Sequence, residues 1–136
     1  MSNMKKETKE MKPLTRGESE LMNLLWDHSQ GLTVKQLVEQ YPEPQPAYTT
    51  VGTFLKILEA KGFVEHRRLG GNGRTFVYSP LLTRERYVTQ VLDDVKENIF
   101  GSSVKKMLSF FVQHEDIDEA ELAEILQMIN NNDQAQ

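Results

Sequence analysis

The residues of this chain best equipped for chemistry are hydroxyls and cations set out at helical spacing. Between about Tyr48 and Lys61, the apolar side chains Val51, Phe54, Leu55 and Leu58 recur at i, i+3, i+4 and i+7, which predicts one buried helix face. On a wheel of about 100° per residue, Thr49, Gly52, Thr53 and Lys56 gather on the opposite side. That outward set is small and hydrogen-bonding, with one cation and no carboxylate. It suits a helix lying in a groove lined by acceptors and phosphates. Thr49 and Thr53 can exchange hydrogen bonds with base edges or lay their methyl groups on thymine, and Lys56 can reach guanine or a phosphate. Thr50, near the helix start, is better placed for a phosphate oxygen, aided by free backbone N–H groups. Gly52 is unusual, because glycine inside a helix costs about 1 kcal/mol relative to alanine. Close approach of a duplex explains it, and so does packing of a neighbouring helix or hairpin.

A second group of charges is His66, Arg67, Arg68 and Arg74, flanking Leu69-Gly70-Gly71-Asn72-Gly73 and opposed only by Glu65. Such a tip can straddle a phosphate backbone or enter a minor groove; alternatively its charges protect an exposed hairpin edge from pairing. Other chemistries are poorly provided for. There is no cysteine, which excludes disulfides, thiolate metal sites and a cysteine nucleophile. His28, His66 and His114 are not spaced as helical ligand pairs, so no metal or other cofactor is expected. No nucleophile and base set, phosphate loop or paired carboxylate motif is recognisable, and the expectation is that the chain is not an enzyme. Glu115, Asp116, Asp118 and Glu119 read more simply as an acidic helix start.

The elements that must position these residues can be read from caps and breakers. Thr15-Arg16-Gly17-Glu18 is a capping box that opens a first helix, with Leu21, Met22, Leu24, Leu25 and Trp26 able to face a core. Thr33-Val34-Lys35-Gln36 opens a second, with Val34, Leu37 and Val38 inward, and Pro42, Pro44 and Pro46 end it. The Tyr48 to Lys61 helix follows and stops at Gly62. Phe63 to Arg68 and Arg74 to Ser79 then read as two strands around a glycine turn. Three short helices and a β-hairpin are the layout of a winged helix-turn-helix.

Past Pro80 to Thr83, strand character vanishes and three more helical stripes appear. Tyr87, Val88, Val91, Leu92, Val95 and Ile99 mark the first, and Val104, Met107, Leu108 and Phe111 the second, widened by Phe110 and Val112. Asp118 and Glu121 cap a third with Leu122, Ile125, Leu126 and Ile129. The expected fold is mainly α with a small β-hairpin wing: a disordered tail over 1–13, a winged-helix DNA-binding domain over 14–82, and a helical dimerisation domain over 83–136. Some fifty residues in three helices make a poor core alone, so Val88, Val91, Leu92, Val95, Ile99, Leu108, Phe110, Phe111, Leu122 and Ile125 are expected to meet a second copy.

Charge divides the same way. The whole chain carries −4, but residues 1–82 carry +2 and residues 83–136 carry −6, so the first part is the one able to meet phosphate. No apolar run is long enough for a membrane span, and the Lys/Glu-rich start lacks a signal peptide's apolar stretch, pointing to a cytoplasmic protein without membrane contact.

The string from Tyr48 to Val64, Tyr-Thr-Thr-Val-Gly-Thr-Phe-Leu-Lys-Ile-Leu-Glu-Ala-Lys-Gly-Phe-Val, followed by Tyr78-Ser79-Pro80-Leu81, resembles the penicillinase-repressor family, the BlaI/MecI/CopY group. The likeness runs from about Leu14 to Ile129 and includes Trp26 and Glu115-Asp116. It implies a homodimeric repressor whose C-terminal helices interlock and whose third helices enter successive major grooves of an inverted-repeat operator in double-stranded DNA. It also implies β-lactam-resistance or metal-handling genes as targets. In the antibiotic branch, a sensor-linked protease cuts the dimerisation domain, and the matching bond is Phe110-Phe111; this chain carries Phe110 where those repressors carry asparagine. The copper-responsive branch ends in cysteine pairs, which this chain lacks. The inducer stays open. A competing reading is a winged-helix module that binds protein instead of DNA, which would call for apolar anchors where Thr49, Thr53 and Lys56 stand.

Overall fold

The computed structural model describes residues 13–70 and 73–135, with side chains up to residue 131. The expected tail, apart from Pro13, and Gly71 and Asn72 of the hairpin turn lie outside the described residues.

Helix α1, Arg16–Asp27, starts at the expected capping box: Glu18 N–H donates to Thr15 Oγ1 at 3.3 Å, and Thr15 N–H donates to Glu18 Oε1 at 2.9 Å. Helix α2, Val34–Gln40, starts in the same way from Thr33 with Gln36. Helix α3, Tyr48–Ala60, ends in paired bonds in which Phe63 N–H donates to the Leu58 carbonyl and Gly62 N–H to that of Glu59. This closure needs a left-handed residue after the cap, and Gly62 supplies it with φ 86°. The buried Phe63 then packs back into the core.

Strands β2, Val64–Arg68, and β3, Phe76–Pro80, form the hairpin in antiparallel register, with His66 opposite Tyr78 and Arg68 opposite Phe76. The sequence reading placed two strands here, but the sheet has three. Strand β1, Leu32–Thr33, lies against the other edge of β3, with Leu32 opposite Tyr78 and Thr33 opposite Val77. Two residues are too few to show alternation, and Thr33 doubles as the α2 cap, so the sequence pattern hid β1. Gly31 makes the approach possible: its φ is 106°, and a Cβ there would lie 2.5 Å from Val77 Cγ1.

The core joins all these elements. Leu21, Met22 and Leu25 from α1, Leu37 from α2, Val51, Leu55 and Leu58 from α3, and Leu32, Phe63 and Val64 are buried together. Helix α4, Arg84–Ile99, follows, and its first turns belong to this unit. Tyr87, at the head of the apolar stripe of this helix, turns into the N-terminal unit: its hydroxyl accepts from Leu14 N–H at 2.9 Å, and its ring meets Phe63 edge-on at 5.6 Å. Trp26 Nε1–H donates to the Leu82 carbonyl at 2.7 Å, tying the connector to α1. Accordingly the compact N-terminal unit extends to Leu92, ten residues beyond the expected limit at 82.

From Asp93 onward the second unit comprises the end of α4, helix α5, Val104–His114, and helix α6, Glu119–Ala135. Ser103 caps α5 and Asp118 accepts from Glu121 N–H at the start of α6. No residue described in this unit is buried.

Candidate nucleic-acid interface

Helix α3 is held by contacts on its inner side and at its end. Val51, Leu55 and Leu58 are wholly buried, and the Phe54 ring rests over Gly17 so closely that a Cβ there would come within 2.8 Å. At the C-terminal cap, Lys61 Nζ donates to both oxygens of Glu18 at 2.8 and 3.0 Å. Glu18 is only 3% exposed. Burial pushes its carboxyl up, but the Lys61 ammonium and the Thr15 N–H outweigh that and leave it below its ordinary value. The α1 capping residue therefore also fixes the far end of α3, a link between residues 43 apart in sequence that no local pattern reveals.

With the inner side fixed, Thr49, Thr50, Thr53 and Lys56 are all exposed. A Cβ at Gly52 would meet nothing within 4 Å. The idea that a neighbouring helix or the hairpin packs on Gly52 is thereby overturned, and the surface there is open. Thr53 Oγ1–H donates to the Thr49 carbonyl at 3.0 Å. Its hydroxyl proton is thus used within the helix, leaving oxygen lone pairs and the methyl group for a ligand.

The hairpin sorts its cations by strand alternation. His66 and Arg68 share a face with Phe76 and Tyr78, while Arg67, opposite Val77, points to the other face. His66 was expected to add positive charge to the tip. Instead its Nδ1 lies 2.7 Å from Glu59 Oε2 on α3 and its ring sits 5.0 Å from that of Phe76, so the imidazole is engaged within the protein. Arg67, Arg68 and Arg74 remain exposed. Arg74 and Lys56 line one concavity between α3 and the hairpin, together with Lys35, a residue the sequence reading did not single out.

The residues expected at a dimer contact lie at the surface. Val88, Val91, Leu92, Ile99, Leu108, Phe110, Phe111, Leu122 and Ile125 are exposed, Ile99 by 71%, and Val95 is half-buried. The Phe110-Phe111 bond lies inside α5, where the Phe110 ring stacks on His114 at 3.9 Å. No helix among the described residues is long and apolar enough to cross a membrane.

With this geometry established, three comparisons bear on the chain. A family model described as penicillinase repressor matches residues 14–131. The penicillinase repressor of Bacillus licheniformis is 23% identical over 121 residues, covering 89% of this chain and 92% of that protein. Among solved structures, FabT of Streptococcus pneumoniae, in complex with DNA, is 20% identical with a TM-score of 0.46, covering 89% of this chain and 74% of that one.

Proposed function

The chain belongs to the penicillinase-repressor family and is a DNA-binding transcriptional repressor, and we propose that it grips an inverted-repeat operator as a homodimer in the cytoplasm. The observation that carries this reading is the division of α3: a fully buried seam at Val51, Leu55 and Leu58 backs the exposed Thr49, Thr53 and Lys56, with the half-buried Gly52 among them. A helix braced on one side by a core, with hydroxyls and an ammonium on the other, is a rigid reader for a major groove. Thr49 and Thr53 contact base edges, Thr53 as an acceptor or through its methyl group, and Thr50 contacts a phosphate. Gly52 lets the helix backbone come close to the duplex. Arg67 and Arg68, on opposite faces of the hairpin, straddle the backbone beside the groove.

A protein-binding module would present apolar anchors where Thr49, Thr53 and Lys56 stand; the exposed apolar side chains of α3, Tyr48 and Ile57, lie to either side of those three residues. The half-exposed apolar side chains of α4, α5 and α6 supply the dimer contact, through Val88, Val91, Leu92, Val95, Ile99, Leu108, Phe110, Phe111, Leu122 and Ile125. β-Lactam-resistance or metal-handling genes are the targets. If a sensor-linked protease relieves repression at Phe110-Phe111, α5 must first open locally, because that bond is enclosed in helix.

A gel-retardation assay on the gene's own upstream DNA, with random duplex as competitor, tests the assignment. Thr53→Ala is expected to narrow the gap between operator and random DNA, at about 1–3 kcal/mol for a lost base contact. Arg68→Ala is expected to weaken both duplexes together and flatten the salt dependence. Equal losses on both duplexes for both variants would defeat these roles, and failure of the wild-type protein to shift any duplex would defeat the reading as a whole.

A further inference from the structure

Strand β1 pairs with β3, Thr33 opposite Val77, and this pairing carries the start of α2 to the base of the hairpin. As a result, cations from three separate elements face one hollow: Lys35 from α2, Lys56 from α3, and Arg74 just before β3. The hydroxyl-bearing Thr33, Tyr48, Thr75 and Tyr78 also line it, and no carboxylate does. Glu59, three residues beyond Lys56, is turned to His66. None of the three cations takes part in an ion pair among the described residues. Like charges gathered at one place repel, and an anion seated among them removes that cost. Two ammonium groups and a guanidinium able to hold two oxygens together match the charge and the oxygens of a phosphate.

We infer that this hollow seats a single backbone phosphate of duplex DNA, held by Lys35, Lys56 and Arg74. The inference rests on the repressor reading and extends it: α2 joins α3 and the hairpin as a third DNA-contacting element, and Lys56 serves the backbone rather than a base. A free phosphate compound has the same chemistry. The duplex is favoured because Lys56 belongs at once to this hollow and to the exposed face of α3, so a strand lying along that face passes the opening.

The test uses the full-length protein. Lys35 is exposed and makes no contact that folding needs, so Lys35→Ala should melt like the wild type. It is expected to bind operator and random duplex about five- to tenfold more weakly at near-physiological salt, with the slope of log affinity against log salt reduced by about one. Lys35→Arg should restore most of the loss. In phosphate-ethylation interference, the variant should become insensitive to ethylation at one phosphate per half-site that blocks the wild type. Inorganic pyrophosphate should compete with the duplex only as strongly as its ionic strength dictates. An unchanged salt slope and ethylation pattern in Lys35→Ala, while the wild type still binds its operator, overturns the seat and leaves the repressor reading standing. Displacement of duplex by micromolar pyrophosphate, abolished by Lys35→Ala, overturns it in favour of a free anion. A wild-type protein that binds no duplex removes both.

Discussion

Among the described residues, the eleven buried apolar side chains all lie between Leu21 and Val77, and none lies from Asp93 on. Yet Val104, Leu108, Phe110, Phe111, Leu122, Ile125 and Ile129 are each about half exposed, on helices that are well capped at their starts. Burying a leucine or phenylalanine is worth about 1.5–3 kcal/mol. The N-terminal unit collects that gain inside one chain. The C-terminal helices have the same kind of side chains and do not collect it. In the homodimer proposed above a second copy covers this apolar surface, and on that proposal the stability of the two units should respond to different variables: the first to its own contacts, the second to protein concentration.

The sharpest way to break this contrast is to place a charge in the C-terminal face. Phe111→Asp or Leu122→Asp is expected to leave a monomer in sedimentation equilibrium and to cut operator affinity by about two orders of magnitude or more, because two linked half-site contacts become one. The melting of the N-terminal unit should stay as it was. A dimer that survives both substitutions would mean that the exposed stripes are not the contact.

Next in size is the ion pair behind α3. Lys61→Met leaves Glu18 as a buried carboxylate without its cation and is expected to destabilise the N-terminal unit by about 3 kcal/mol in urea denaturation. Because the carboxyl of Glu18 is held below its ordinary value, its contribution is complete above the normal carboxylate range and disappears as pH falls through the lowered folded value. Lys61→Met should therefore lose much of the acid limb of the wild-type stability profile, while the monomer–dimer balance stays unchanged at neutral pH.

Smaller effects place the border between the two units. Tyr87→Phe removes the oxygen that accepts from Leu14 N–H and should cost about 1 kcal/mol in the melting of the N-terminal unit, with no change in sedimentation. If Tyr87 instead served the dimer, the outcome would be reversed. Smallest is Gly52→Ala. With open space around the new methyl group, the helix should gain a little under about 1 kcal/mol of stability, while DNA affinity falls. An alanine variant that is more stable and binds as well as the wild type would remove the case for close backbone approach at Gly52.

Much of this architecture was legible in the order of residues. The capping boxes at Thr15 and Thr33, the seam Val51, Leu55 and Leu58, and the stop at Gly62 are local signals, each decided within eight residues or fewer. The outward position of Thr49, Thr53 and Lys56 followed from helical period alone, since a side opposite a buried seam must face outward. Strand β1 left no trace because it is two residues long, and its partner is more than forty residues away. The hidden strand also hid Lys35, which has no outward pattern of its own and acquires its place only through the pairing of Thr33 with Val77. His66 was misjudged for a related reason: its charge was counted along the hairpin, and Glu59 reaches it across space from α3.

By itself, then, the sequence determined which segments are helical, where they begin and end, and which sides are apolar, because capping and periodicity are short-range effects written in neighbouring residues. Only the tertiary structure decided what those sides meet. It turned Tyr87 into the N-terminal core, paired Lys61 with Glu18 and left Gly52 uncovered. It also set Lys35, Lys56 and Arg74 around one hollow, because each of these depends on distances between elements that no local pattern encodes.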